Sequence, residues 1–234
     1  MLFLFTASMR RVFFKAGLLL AIIILIMSGA CNRNKLHIVD RPIDFSPLRV
    51  ELTKEYICQH YGLEVKNIHI TPKIIVLHWI ETNDPEEAFN ILRPDTLQYG
   101  GIVSRAGKLN VSAHFLVDRD GTVYRLMDET TMARHVIGLN YYSIGVENVG
   151  GVDGIDNMTP AQVEANARLV RYLVKKYPTI HYLIGHLEYT RMENTPFWLE
   201  RDSTYRTVKT DPSEAFMQAV RERVQDLHLL GPPE

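Results

Sequence analysis

Lys73-Ile74-Ile75-Val76-Leu77-His78-Trp79-Ile80 is the stretch on which the fold turns. From Ile74 to Leu77 no polar residue interrupts the run, and three of the four side chains are β-branched. Such a run reads as a strand covered on both faces, the kind found inside α/β sheets. Alternation places Ile74, Val76 and His78 on one side, with Ile75, Leu77 and Trp79 on the other. A polar ring therefore closes an apolar strand, where an unpartnered imidazole costs about 1–3 kcal/mol. It is either a satisfied core histidine or a ligand, and the strand alone leaves both open.

Outward from this strand, the flanking segments punctuate clearly. Upstream, Ser46-Pro47 opens a helix that Gly62 closes, within which Cys58 is expected to be a small buried apolar residue. Downstream, Asp84-Pro85-Glu86-Glu87 starts a short helix that ends before Pro94. "VSAHFLV" (111–117) and "TVYRLM" (122–127) flank a turn at Asp120-Gly121 and form a hairpin. "SIGVENV" (143–149) and "HYLIGH" (181–186) are further strands. Between them lies an amphipathic helix with Thr159 at N-cap, Pro160 at N1 and Gln162 at N3. A last helix follows "KTDP", with Asp211 expected at its N-cap and Glu214 completing a capping box. Strands interleaved with helices predict an α/β fold: a central mixed β-sheet flanked by helices on both faces.

Composition excludes little. The 234 residues are 46% hydrophobic and 23% charged, with a formal net charge of −1. These are globular values, and no basic stripe calls for nucleic acid. The N-terminus says more. Arg10, Arg11 and Lys15 precede an apolar run from Ala16 to Met27, then "SGAC" ends at Cys31. This layout predicts a secretory signal over residues 1–30, too short an apolar run to span a bilayer comfortably. "SGAC" is similar to a bacterial lipobox, so Cys31 is the expected lipidation site. The expected organisation is a tether over 31–45, holding a strand of open status, and one domain over 46–234. With Cys31 lipidated, Cys58 stands alone and no internal disulfide can form. The expectation is a monomer held by a lipid anchor in a bacterial cell envelope, on the periplasmic side of the outer membrane.

Among nine histidines, His37, His60, His69, His181 and His228 sit in polar or helix-surface contexts and receive no role. His186 repeats the situation of His78, ending an apolar strand in Gly-His. Two strand-end imidazoles and Asp211 could converge as an open tetrahedral zinc site with a vacant fourth position. No HExxH helix is present, which closes the zincin route. Glu147 shares a strand face with Ser143 and Gly145, whose small side chains leave room beside a carboxylate.

"VLHWI", "SAHFLVDRDGTVYRL", "ARHVIGLNYYSIGVENVG", "IGH" and "KTDP" follow one another in the order seen in zinc N-acetylmuramoyl-L-alanine amidases. This family includes phage lysozyme-like amidases and peptidoglycan recognition proteins, and the resemblance covers roughly residues 70–220. It implies His78, His186 and Asp211 as zinc ligands, Glu147 as catalytic acid/base and Lys209 beside the metal as a catalytic cation. It further implies His114 and His135 as substrate contacts, Zn2+ as the cofactor, and peptidoglycan or muropeptides as substrate. The bond cut would join N-acetylmuramic acid to L-alanine. Two alternatives remain, a non-catalytic muropeptide-binding module on the same fold and a zinc peptidase acting within the stem peptide. The chain departs from compact relatives in a longer segment over 187–208, expected to form a lip over the cleft. It also lacks a tryptophan before His135.

Overall fold

Six strands and four α-helices are interleaved along the described residues of the computed structural model, 36–98, 100 and 102–233, with three of the strands in succession. The signal segment, Cys31 and the first residues of the expected tether, up to position 35, lie outside the described residues. The strands are β1 (Ile38–Asp40), β2 (Ile74–Leu77), β3 (Phe115–Val117), β4 (Val123–Arg125), β5 (Ser143–Asn148) and β6 (Tyr182–Gly185). The helices are α1 (Pro47–Tyr56), α2 (Pro85–Leu92), α3 (Pro160–Lys176) and α4 (Glu214–Arg223). One sheet takes the order β1-β4-β3-β5-β2-β6. Only the β3–β4 hairpin is antiparallel, and every other pairing is parallel. The mixed α/β sheet expected from the sequence is the observed one. β1 lies in the stretch read as tether, so the sheet recruits residues ahead of position 46.

All four residues of β2 are fully buried between β5 and β6. On one sheet face Ile74 and Val76 join Ile184 and Leu139 in a core with Leu52, Tyr56, Ile57 and Tyr61 from α1 and the turn after it. The pleat leaves Ile75 and Leu77 for the opposite face. There α3 packs on β3 and α4 on β6. A second core joins α2, through Ala88, Phe89 and Leu92, to Leu116 and Leu126 of the hairpin.

Buried polar groups tie α3 to the sheet. Gln162 Nε2 donates to the carbonyls of Val117 (3.3 Å) and Val149 (2.8 Å). Asn166 Nδ2 donates to Asn148 Oδ1 at 2.7 Å, and Asn148 Nδ2 donates to the His78 carbonyl at 2.9 Å. All three side chains are fully buried. Unpaired they would cost about 1–3 kcal/mol each, so the bonds fix where β2 ends relative to α3.

The helix starts follow their sequence signals with one exception. Ser46, Asp84 and Thr159 cap as expected, and the Thr159–Gln162 capping box is complete. At α4, however, Ser213 is the N-cap and accepts from the Phe216 N–H at 3.0 Å. Asp211 lies two residues further upstream, so its carboxylate does not cap the helix. α4 ends at Arg223, before a single turn at Gln225–Leu227.

Two further expectations are corrected around α1. The helix continues as a wider turn over Ile57–Tyr61 before Gly62 closes it in a left-handed conformation. That turn shifts the facing of the chain, so Cys58 is exposed rather than buried. His60, expected on a surface, is turned inward and meets Glu200 Oε2 at 2.9 Å, both side chains being nearly inaccessible. Glu200 belongs to the 187–208 segment, which is mainly a packed arm. Tyr189, Met192 and Tyr205 sit in the α1 core, and only the arm's end reaches the cleft.

Arg49 anchors α1. Its guanidinium is buried and bonds Asp95 Oδ1 at 3.0 Å, while Ser46 Oγ also donates to Asp95. Asp95→Ala strands that cation and is expected to cost about 3 kcal/mol, against about 1 kcal/mol for Thr159→Ala at the α3 cap. Urea unfolding of the two variants checks the order. Equal midpoints would contradict the anchoring role.

Candidate metal centre

Register places the chemistry. Leu77 pairs with Val146 on β5 and with Gly185 on β6, both in parallel. One residue beyond each partner stand His78, Glu147 and His186, level with one another at neighbouring strand ends. Strands lie about 4.8 Å apart, so three residues at one level on one face necessarily meet. The loop after β6 then brings Asp211 back, its carbonyl accepting the Leu187 N–H at 2.6 Å.

The three expected ligands converge. His78 Nδ1 lies 3.0 Å from His186 Nδ1 and 3.4 Å from Asp211 Oδ2. His186 Nδ1 lies 3.0 Å from the same Asp211 oxygen. Tetrahedral ligands about 2.0–2.1 Å from a zinc ion stand roughly 3.3 Å from one another, so this triangle has the size of one face of such a site. Two imidazole lone pairs and a carboxylate aimed at one point repel unless a proton or cation lies among them. Donor types, spacing and burial all fit a divalent zinc ion.

Burial governs the protonation of these groups. It pushes the His186 pKa down to about 4, aided by the neighbouring His78 ring, so the imidazole is neutral and available as a ligand. Burial alone would raise the Asp211 carboxyl, but His186 and His78 outweigh it and hold the group well below the usual carboxylate range. Glu147 goes the other way. Burial lifts its pKa to about 7, with His78 opposing and Asp211 reinforcing the rise. Glu147 Oε1 is 4.0 Å from His78 Nδ1, and Oε2 has no hydrogen-bond partner. This carboxyl can gain and lose a proton near neutrality, as a general acid/base must.

The centre opens into a cleft of about 240 Å³ lined by His78, Trp79, Glu81, Arg134, Glu147, His186, Lys209 and Asp211. A smaller hollow of about 60 Å³ adjoins it through His135, His186 and Lys209, with Tyr205 and Thr207 of the arm on its wall. Lys209 lines both spaces. Trp79 Nε1 and Thr207 Oγ1 are buried and unpartnered, so each has a polar atom to offer. Sequence reading missed Trp79, Glu81, Tyr205 and Thr207. The one available signal was that Trp79 and Glu81 adjoin His78 in the chain.

Of the two histidines expected to touch substrate, His114 lies away from the cleft, while His135 lines it with both ring nitrogens engaged inside the protein. His114 is wholly buried behind the cleft, its Nε2 bonded to the Thr131 carbonyl (2.8 Å) and its Nδ1 accepting the Gly145 N–H (3.0 Å). His135 lines the cleft wall, but its Nδ1 faces His78 Nε2 and its Nε2 faces Ser143 Oγ, each at 3.0 Å. Burial and the adjacent His78, His114 and His186 rings hold His135 well below the usual histidine pKa. The room that Ser143 and Gly145 were expected to leave beside Glu147 is taken by this ring. A Cβ on Gly145 would lie 2.6 Å from His135 Cγ.

A family model described as N-acetylmuramoyl-L-alanine amidase matches residues 69–214. The endolysin of Escherichia phage T7 is 43% identical over 75 residues, 30% of this chain and 50% of that protein. N-acetylmuramoyl-L-alanine amidase A of Achromobacter lyticus is 36% identical over 76 residues, 31% of this chain and 43% of that protein. The chain thus spans about half the length, or less, of these curated relatives. Among solved structures, the amidase LysC from Clostridium intestinale URNW superposes with a TM-score of 0.53 at 21% identity, covering 84% of this chain and 100% of that one. At that identity the likeness concerns the fold alone.

Burial lowers the His114 pKa from 6.5 to about 4. An unfolded chain therefore binds the extra proton first as pH falls from 6.5 towards 4, and stability contributed above 6.5 is lost across that window. The loss is on the order of 3 kcal/mol for this one group. Unfolding free energy measured across the window should fall less steeply in His114→Phe than in the unmodified protein. Parallel slopes would contradict this.

Proposed function

The chain belongs to the N-acetylmuramoyl-L-alanine amidase family, and on that premise we propose a zinc-dependent hydrolase that cuts the amide between N-acetylmuramic acid and L-alanine in peptidoglycan or muropeptides. The observation that carries the reading is the meeting of His78, His186 and Asp211, all ligand atoms within 4.8 Å of one another, beside the Glu147 carboxyl, whose Oε2 is buried and without a partner.

His78, His186 and Asp211 would hold the ion. When bound, zinc supplies electrophilic polarisation of an amide carbonyl and makes a water acidic enough to attack near neutral pH. Glu147 takes the proton from the attacking water. Its partner-free Oε2 and its pKa near 7 suit it to hand that proton to the departing amine of L-alanine. Lys209, lining both the cleft and the adjoining hollow, brings a cation to the side where charge develops on the carbonyl oxygen. The half-closed cleft strengthens each of these interactions by thinning the water around them.

The N-terminal pattern of cations, apolar run and "SGAC" supports a companion proposal, that the domain works outside the cytoplasm, tethered to a bacterial envelope membrane by lipid on Cys31. Among the described residues no helix is long and apolar enough to cross a membrane.

Mass analysis of purified muropeptides after digestion tests the reaction: free sugar and intact stem peptide are expected, and a chelator should abolish both. Shortened peptides would indicate cleavage within the stem, and unchanged substrate a binding module. Glu147→Gln is expected to retain zinc while losing about 10²–10⁴-fold in turnover. Asp211→Ala should lose zinc itself, read by metal analysis after dialysis. Full activity in a zinc-free preparation would overturn the proposal.

A further inference from the structure

His135 has both ring nitrogens engaged inside the protein, on the wall of a cleft where a substrate contact was expected. Its ring stands edge-on to His78, with an interplanar angle of 84° and centroids 5.1 Å apart. From His78 Nε2 the contacts run to His135 Nδ1 (3.0 Å), from His135 Nε2 to Ser143 Oγ (3.0 Å), and from Ser143 Oγ to the Leu139 carbonyl (2.9 Å). We propose that this chain sets the tautomer of His78, with His135 as a positioning residue that leaves the His78 Nδ1 lone pair bare for the metal ion. The inference rests on the metal reading of the centre given above.

A count of protons decides the direction of the chain. A carbonyl oxygen can only accept, so the Ser143 hydroxyl donates to Leu139. Ser143 Oγ then accepts from His135 Nε2–H, which leaves His135 Nδ1 as an acceptor. His135 Nδ1 accepts a hydrogen bond from His78 Nε2–H, and His78 Nδ1 is left with a lone pair. Reversed, the Ser143 hydroxyl would donate to His135, and its oxygen would face the Leu139 oxygen with no proton between them. His78 would then carry its proton on Nδ1, pointed at His186 and Asp211 where a ligand is needed. Only one direction satisfies both ends.

The surroundings hold the ring to this task. Asn140 Oδ1 accepts the backbone N–H groups of His135 and Val136, each at 2.8 Å. Its amide nitrogen is held in turn by the Tyr61 hydroxyl at 3.0 Å. Gly145, as the residue without a side chain, admits the ring against β5. A group that orients a metal-binding histidine through its second nitrogen typically changes metal affinity about 10–100-fold when removed.

Long-range proton–nitrogen NMR correlations on the metal-free protein read the tautomers directly. His78 and His135 are both expected with the proton on Nε2, and an Nδ1–H signal from either overturns the chain. Zinc affinity, measured by competition with a chromophoric chelator, is the second arm. His135→Leu is expected to lose about 10–100-fold. His135→Gln, whose amide oxygen can accept from His78 while its nitrogen donates to Ser143, should stay within a few-fold of the unmodified protein. Equal affinity in His135→Leu, or equal loss in both variants, would overturn the proposal. Should circular dichroism show His135→Leu unfolded, Ser143→Ala decides: a several-fold loss of zinc affinity supports the chain and no change overturns it. Failure of the metal reading looks different, because there the unmodified protein itself takes up no zinc.

Discussion

Parallel pairing in register is the constraint from which the rest follows. Because Leu77 lies level with Val146 and Gly185, the residues that follow each of them leave the sheet side by side. Parallel strands all present their carboxyl ends to the same edge, and connections there are free to vary without disturbing the core. A one-residue slip of β6 would exchange His186 for Gly185 or Leu187 and turn its face away from His78. Burial on both sides of β2 makes such a slip costly, since it would move apolar side chains to the wrong surface.

Holding three polar side chains at that edge requires polar groups deep in the fold. Gln162, Asn166 and Asn148 link α3 to the carbonyl of His78, and Asn140 links the His135 backbone to Tyr61. Hydrogen-bonded networks of this kind rigidify their surroundings, because a displacement would strand further buried groups beside Asn166 Oδ1, which already has no partner. Arg49–Asp95 and His60–Glu200 do the same for α1 and the 187–208 arm. The arm matters to the centre because it carries the chain from β6 back to Lys209 and Asp211.

Two carboxyl groups within the same small space take opposite protonation behaviour. Asp211 touches both imidazoles and stays ionised, while Glu147, with its Oε2 buried and unpartnered, rises to about 7. Environments that drive paired titratable groups apart divide their roles, one towards holding charge and the other towards moving protons. Here the division arises from position along the strand edge. Asp211 arrives from a loop on the far side of His186, whereas Glu147 projects from a strand whose core-facing neighbours exclude water.

Local patterning determined a good part of this protein. Apolar runs, caps at Ser46, Asp84 and Thr159, and the turn at Gly121 were legible because each depends on residues within a few positions of one another. Resemblance of ordered blocks pointed to His78, His186, Asp211 and Glu147, and the structure brings those four together. What the sequence alone missed depends on contacts between distant segments. The cap of α4 passed to Ser213, although Asp211-Pro212 reads equally well as a start. His60 turned inward to an arm about 140 residues away, and Cys58 turned outward with the same wider helical turn. His114 and His135 sat in blocks that suggested substrate contact, yet their ring nitrogens were already claimed by Thr131, Gly145, His78 and Ser143. A histidine's role follows from what each nitrogen meets, and that is settled only when strands and loops far apart in the chain pack against one another.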